Sequence, residues 1–187
     1  MKILPKVGDK EQITDSKVRA TLRWKTSIDL DLHCFYLLKG QNAKKKGFIK
    51  KILEKIFGPS ECDNSNSGHI FFSNRGSKNN NPHIWLDKDS GVGDVGGDNE
   101  ENIYFENLSV INHALIVANI YNKNTNFSRY NGKVIVKTKS QEIEVPLTCK
   151  KNGSWCVVAR IDNETGTPHL INVNKTMTSK PSIPDFL

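Results

Sequence analysis

Short runs of β-branched and aromatic residues with period-two alternation, separated by clusters of Gly, Asn, Asp and Pro, recur along almost the whole chain. Alternation of this kind puts successive side chains on opposite faces of a strand, so each run reads as a half-buried strand bounded by turns. The pattern predicts strands over 18–24, 31–38, 69–72, 83–86, 102–105, 114–121, 132–138, 142–146, 155–162 and 170–173. A series of short strands with turn signals between them predicts an all-β fold, a sandwich or barrel of mainly antiparallel strands. Asn131-Gly132 is a tight-turn signal, and Lys151-Asn152-Gly153-Ser154 reads as a hairpin link. The 187 residues suit one domain. Its expected limits are 18–175, with an N-terminal extension over 1–17 and a C-terminal tail over 176–187, extended by Pro181 and Pro184.

One segment, 39–67, breaks the pattern. Phe48, Ile49, Ile52, Leu53, Ile56 and Phe57 recur at helical spacing, and Gly58-Pro59 is a stop signal. A short amphipathic helix over 47–57 is predicted, inserted between two strands and followed by a Ser/Asn-rich loop. Within residues 39–58, Lys39, Lys44, Lys45, Lys46, Lys50, Lys51 and Lys55 stand against the single acid Glu54, which puts +6 of the net +7 in this stretch. The remainder is close to neutral, so global basicity does not argue for nucleic acid as a partner. Lys44, Lys45, Lys46, Lys50, Lys51 and Lys55 opposite Phe48 and Phe57 suit either an anionic membrane surface or an apolar face laid on the sandwich with its lysines in water.

Negative charge is concentrated elsewhere. Residues 87–101 read D-K-D-S-G-V-G-D-V-G-G-D-N-E-E, with six carboxylates and four glycines in fifteen positions. Such a loop repels itself unless a cation sits within it, and hard oxygen ligands on a flexible backbone are what Ca²⁺ requires. Its glycines allow positive φ and close approach, so backbone carbonyls can join the carboxylates. A second wall is offered by Asp29-Leu30-Asp31-Leu32. Residues i and i+2 of a strand share a face, so both carboxylates converge while both leucines turn to the core. Asn119 and Asn122 offer further side-chain oxygens, or merely close turns.

Two other readings of the loop fail. Residues 91–96 match G-x-G-x-x-G, but no helix-forming sequence follows, and the flanking carboxylates would repel a pyrophosphate. The EF-hand pattern fails because Val92 replaces the loop glycine and Asp98 stands where a bidentate Glu belongs. No G-x-S-x-G, P-loop or H-E-x-x-H is present, so no catalytic residue is nominated. His33, His69, His83, His113 and His169 are scattered over predicted strands, and His33-Cys34 lacks a recognisable third ligand. Cys34, Cys62, Cys149 and Cys156 show no C-x-x-C spacing; reduced thiols are expected, as in the cytoplasm. The start of the chain reads too short in apolar residues for a signal peptide, and no run of 18 apolar residues predicts a spanning helix.

The segment S-I-D-L-D-L-H-C-F-Y-L, followed by W-L-D-K-D-S-G-V-G-D-V-G-G-D-N-E-E-N, resembles the tellurium-resistance Ter stress-response proteins, whose TerD domain carries a D-x-D strand and a Gly/Asp-rich loop. The T-G-x-G portion of that loop matches 90–93 and its D-D-E portion 98–100, with one extra residue between them and Asn99 in place of an acid. The longer likeness is to the TerA branch, through 143–148, 155–163 and 171–174, and it covers 18–175 outside the lysine-rich insertion. The resemblance implies a two-sheet β-sandwich that binds Ca²⁺ within a membrane-associated Ter assembly, in responses to tellurite, colicins and phage. It implies ligands from Asp29, Asp31, Asp87, Asp89, Asp94, Asp98 and Glu100, with backbone carbonyls near Val92 and Gly93; Asn99 and Glu101 complete the candidate set.

The expectation is therefore a non-enzymatic, calcium-binding stress-response module in the cytoplasm or at the inner face of the membrane, with other Ter proteins as partners. Its rivals are a membrane-surface adaptor built on the 47–57 helix and a metal-dependent hydrolase at the Asp cluster.

Overall fold

The computed structural model describes residues 1–25, 28–40, 66–87, 99–121 and 123–187. The predicted 47–57 helix, with Lys44, Lys45, Lys46, Phe48, Lys50, Lys51, Lys55 and Phe57, lies outside the described residues. So do Asp89, Val92, Gly93, Asp94, Asp98 and Asn122.

The chain folds as a β-sandwich. In order its strands are β1 (Lys2–Ile3), β2 (Lys10–Gln12), β3 (Val18–Trp24), β4 (Asp31–Leu38), β5 (Ser67–Ile70), β6 (Ile84–Leu86), β7 (Asn99–Phe105), β8 (Ile111–Asn119), β9 (Thr125–Asn126), β10 (Lys133–Lys137), β11 (Glu142–Pro146), β12 (Asn152–Gly153), β13 (Trp155–Asp162) and β14 (His169–Met177). One six-stranded sheet, sheet A, has the order β1-β11-β10-β3-β7-β6; the other, sheet B, runs β2-β14-β13-β8-β4-β5. All pairings are antiparallel except β1 on β11. The strands predicted over 18–24, 31–38, 142–146 and 155–162 have these bounds.

Alternation builds the core. Along β3, Ala20 and Leu22 turn inward and Arg23 outward; on β10, Val134 and Val136 do the same between Lys133 and Lys137. They meet Leu32, Cys34, Ala114, Ile116, Ala118 and Ile161 from sheet B. Strand β8 is different, being buried on both faces. Its inner residues join that core, while Leu115 and Val117 join Phe35, Val157 and Ile183 in a second apolar cluster on the outer face. Ile183 belongs to a 3₁₀ turn, Ile183–Phe186, so the expected extended tail instead ends in a turn seated against sheet B. This cover accounts for the unbroken A-L-I-V-A run in a strand of a two-layer protein.

The first seventeen residues contribute a short strand to each sheet. β1 lies along β11 and β2 along β14, covering one edge of each sheet, where bare N–H and C=O groups would otherwise invite pairing with other chains. Asn172 Nδ2 donates to Leu4 O at 2.7 Å, tying the first segment to sheet B.

Two local expectations are corrected. The 151–154 stretch is not a hairpin turn, because β11 and β13 lie in different sheets. Instead β12 pairs with β9, and a Cβ at Gly153 would collide with Thr176 and the Met177 backbone. The glycine serves close approach, not a turn. Asn131, at φ +48°, takes the left-handed conformation where the 3₁₀ turn Phe127–Tyr130 ends, at the tight-turn signal 131–132. Cys149 and Cys156, expected as free thiols, form a disulfide. The crossing from sheet A to sheet B brings them together, which spacing in the sequence does not show. Cys34 is free, and burial pushes its thiol far up from the ordinary range.

On the outer face of sheet B, His33 Nδ1 lies 2.8 Å from His69 Nε2, and His69 stacks between Phe35 and Phe71. Burial, with the nearby Lys180 charge, pulls His33 down to about 4. Burial, the His33 ring and Lys180 bring His69 to about 3. A base with a depressed folded pKa takes its proton first in the unfolded chain. Between the unfolded value near 6.5 and these folded values, the unfolded state therefore binds more protons, and stability falls as pH falls. Urea unfolding from pH 7 to pH 4 is expected to show this decline, and a His33→Gln/His69→Gln variant to show a shallower one. Equal slopes would disprove the assignment to this pair.

Candidate functional site

The predicted cation ligands that are described gather at one end of the sandwich. There β3 ends at Trp24, β4 begins at Asp31, β6 ends at Leu86, β7 begins at Asn99 and β8 ends at Asn119. Trp24 Nε1 donates to Ile28 O at 2.6 Å, fixing the exit from β3. Leu30 and Leu32 are then fully buried, with Asp29 and Asp31 half-buried between them. Asp31 and Leu32 open β4, while Asp29 and Leu30 precede it, so only the second half of the D-L-D-L segment is strand. Asp31 faces Asn119 across the β4–β8 pair, and Asn119 Nδ2 is held by Ser154 O at 2.8 Å.

Residues 87 and 99–101 form the two ends of the acidic connection, since β6 and β7 are antiparallel neighbours. The strand begins earlier than predicted, at Asn99 instead of residue 102, with a consequence for the carboxylates. Adjacent residues of a strand point to opposite faces, so Glu100 and Glu101 diverge.

Glu100 faces outward. It receives Arg23 Nε at 2.7 Å and Asn102 Nδ2 at 3.1 Å. Burial opposes its ionisation, but those hydrogen bonds and the Arg23 and Arg19 charges outweigh it and hold the carboxyl below its usual range. The same Asn102 amide donates to Asp87 Oδ2 at 3.1 Å, its backbone N–H reaches Asp87 Oδ1 at 3.3 Å, and Tyr104 OH donates to Asp87 Oδ2 at 3.3 Å. Asp87 and Glu100 thus share one outward-facing polar network.

Glu101 turns inward and is 1 % exposed. Its Oε2 accepts the backbone N–H of Leu32 at 2.6 Å, so a side chain of sheet A closes onto the first turn of β4 in sheet B. β5 covers β4 only from Cys34 to Leu37, which leaves the Leu32 N–H beyond the ladder on that side. A buried peptide donor must find an acceptor, and Glu101 supplies it next to Asp31.

A cleft of about 460 Å³ beside this end is lined by Arg23, Trp24, Lys25, Asn99, Glu100, Asn131 and Lys133. Its cationic walls are tied into ion pairs, Arg23 with Glu100 and Lys133 with Glu144 at 2.8 Å. No helix among the described residues is long and apolar enough to cross a membrane.

One grouping was missed by the sequence reading. His113 on β8, Asp162 at the end of β13 and Glu164 beyond it bring three ligand atoms within 4.8 Å of one another. The signal was the register, since Asp162 stands directly opposite His113. Forty-nine positions separate the two in sequence, and no local motif joins them.

Comparison of the chain with family models, curated proteins and solved structures finds no match.

The Glu101–Leu32 contact has a measurable cost of removal. Glu101→Ala strands a buried N–H and is expected to lower stability by about 1–3 kcal/mol in urea unfolding, the range for an unsatisfied buried donor. Glu101→Gln, which keeps an acceptor oxygen, is expected to lose less. A Glu101→Ala loss below about 0.5 kcal/mol would show that the contact is not a structural tie.

Proposed function

We propose that the chain is a non-enzymatic, calcium-binding β-sandwich of the Ter stress-response type, a module whose acidic end a cation orders for contact with a partner. The observation that carries the reading is the meeting, at one end of the sandwich, of the Asp29–Asp31 segment with both ends of the connection that holds Asp89, Asp94 and Asp98. The donors are carboxylates with amide and backbone oxygens, a hard set suited to Ca²⁺. Asp29 and Asp31 would supply one wall, while Asp87 and Asn99 mark where the connection leaves and rejoins sheet A. Bound calcium would supply charge neutralisation; it would let acids that repel one another share a small volume. The likeness of the D-x-D strand and Gly/Asp loop to TerA and TerD proteins supports the same reading. It suggests other Ter proteins as partners, at a cytoplasmic or inner-membrane surface.

Calcium that binds the folded chain alone stabilises it by mass action, by about 2.7 kcal/mol at a hundredfold excess over Kd. For a chain of this size that is about 5–10 °C in melting temperature. Metal-stripped protein is expected to show such a rise with Ca²⁺ beyond an ionic-strength control, and Asp31→Ala/Asp89→Ala to abolish it. An equal response from the double variant rules out the site. A response to Mg²⁺ or Mn²⁺ exceeding that to Ca²⁺ would favour the metal-dependent hydrolase.

A further inference from the structure

We propose that His113, Asp162 and Glu164 form a second cation site, selective for a divalent transition ion such as Zn²⁺, at the end of sheet B remote from the acidic connection. His113 lies six residues from Asn119 along β8, which places the two ends about 20 Å apart. The site is independent of the calcium reading and stands or falls without it.

The geometry begins with His113. It is 4 % exposed, and its Nδ1 is buried without a hydrogen-bond partner. A buried polar nitrogen of that kind costs free energy unless something occupies its lone pair or takes its proton. The facing atom is Asp162 Oδ1 at 3.6 Å. That is too long for a hydrogen bond, but two atoms that each ligate one ion at roughly 2.0–2.2 Å lie about 3–3.6 Å apart. Glu164 brings a third atom into the same small volume from the turn after β13.

The neighbours orient the pair. Arg160 NH2 lies 3.4 Å from Asp162 Oδ2, which leaves Oδ1 on the His113 side. The Glu164 backbone N–H reaches Oδ1 at 3.3 Å, drawing the Glu164 turn towards His113. Two carboxylates against one guanidinium leave the group negative overall, a balance that a divalent cation satisfies. On the other side of Asp162 stands His169, opposite it in the β13–β14 register, with its Nδ1 2.9 Å from Thr167 O.

The donor set selects the ion. An imidazole nitrogen with two carboxylates suits zinc and its first-row neighbours, whereas Ca²⁺ and Mg²⁺ favour all-oxygen sites. Three protein ligands leave a fourth position open, and Glu164 is exposed, so the ion would be accessible from solvent. Such a site would fasten the Asn163–Gly166 turn to the first residues of β8.

The test is a Zn²⁺ titration of the metal-stripped full chain by calorimetry, with saturating Ca²⁺ present to occupy the acidic end. One equivalent is expected to bind. Asp162→Asn and Glu164→Gln are each expected to weaken binding by more than about tenfold, while Asp31→Ala and His69→Gln leave it unchanged. Glu164→Gln alters only an exposed turn, so it decides the matter even if His113→Gln fails to fold. Absence of Zn²⁺ binding would overturn the proposal. So would unchanged affinity in the Glu164 variant, or loss of binding in His69→Gln instead.

Discussion

The acidic end of this protein is organised around one buried carboxylate. Glu101 leaves sheet A, crosses the sandwich and accepts the N–H of Leu32 at the start of β4. Two sheets packed face to face hold together through dispersion and hydrophobic burial, neither of which fixes how far one slides over the other. A hydrogen bond from a backbone N–H to a buried carboxyl oxygen is directional. It pins the beginning of β4 against the beginning of β7, and so sets where Asp29 and Asp31 sit relative to both ends of the acidic connection. The burial of Leu30 and Leu32 completes the restraint from the core side.

The rest of the fold closes surfaces that a bare sandwich leaves open. β1 and β2 cover one edge of each sheet, and the C-terminal turn covers the apolar outer face around Leu115 and Val117. The outer face of sheet A is handled with charge instead. Arg23 and Lys133 stand opposite one another across β3 and β10, as do Arg19 and Lys137, an arrangement that repels. The acids on the flanking strands relieve it: Glu100 pairs with Arg23, Glu144 with Lys133 and Glu142 with Lys137. The result is a stripe of cations on β3 and β10 with acids on both flanking strands.

Strand alternation made most of the architecture legible, because β3, β4, β11 and β13 each carry enough alternating residues to mark both ends. The unpredicted strands are those too short for any period: Lys2–Ile3, Lys10–Gln12, Thr125–Asn126 and Asn152–Gly153 are strands because a neighbouring edge accepts them. At the acidic end, the burial of Leu30 and Leu32 could be read from local spacing alone. Glu100 and Glu101 could not, because Asn99 reads as loop and only its pairing with Trp24 extends β7 that far. The His113–Asp162 pair is set by the β8–β13 register, which passes through an irregularity between Val157 and Ala159. No sequence period carries across such a shift.

These restraints bear on what a cation at the acidic end would do. One wall is fixed by contacts that owe nothing to a metal: Leu30 and Leu32 in the core, Glu101 on the β4 backbone, and Asn102 on Asp87 and Glu100. Glu100 is paired with Arg23, and Asp87 accepts hydrogen bonds from Asn102 and Tyr104. A cation at this end would therefore meet a wall that is already formed without it. By mass action, any ligand that bound only the folded chain at this wall would stabilise the sandwich that builds it.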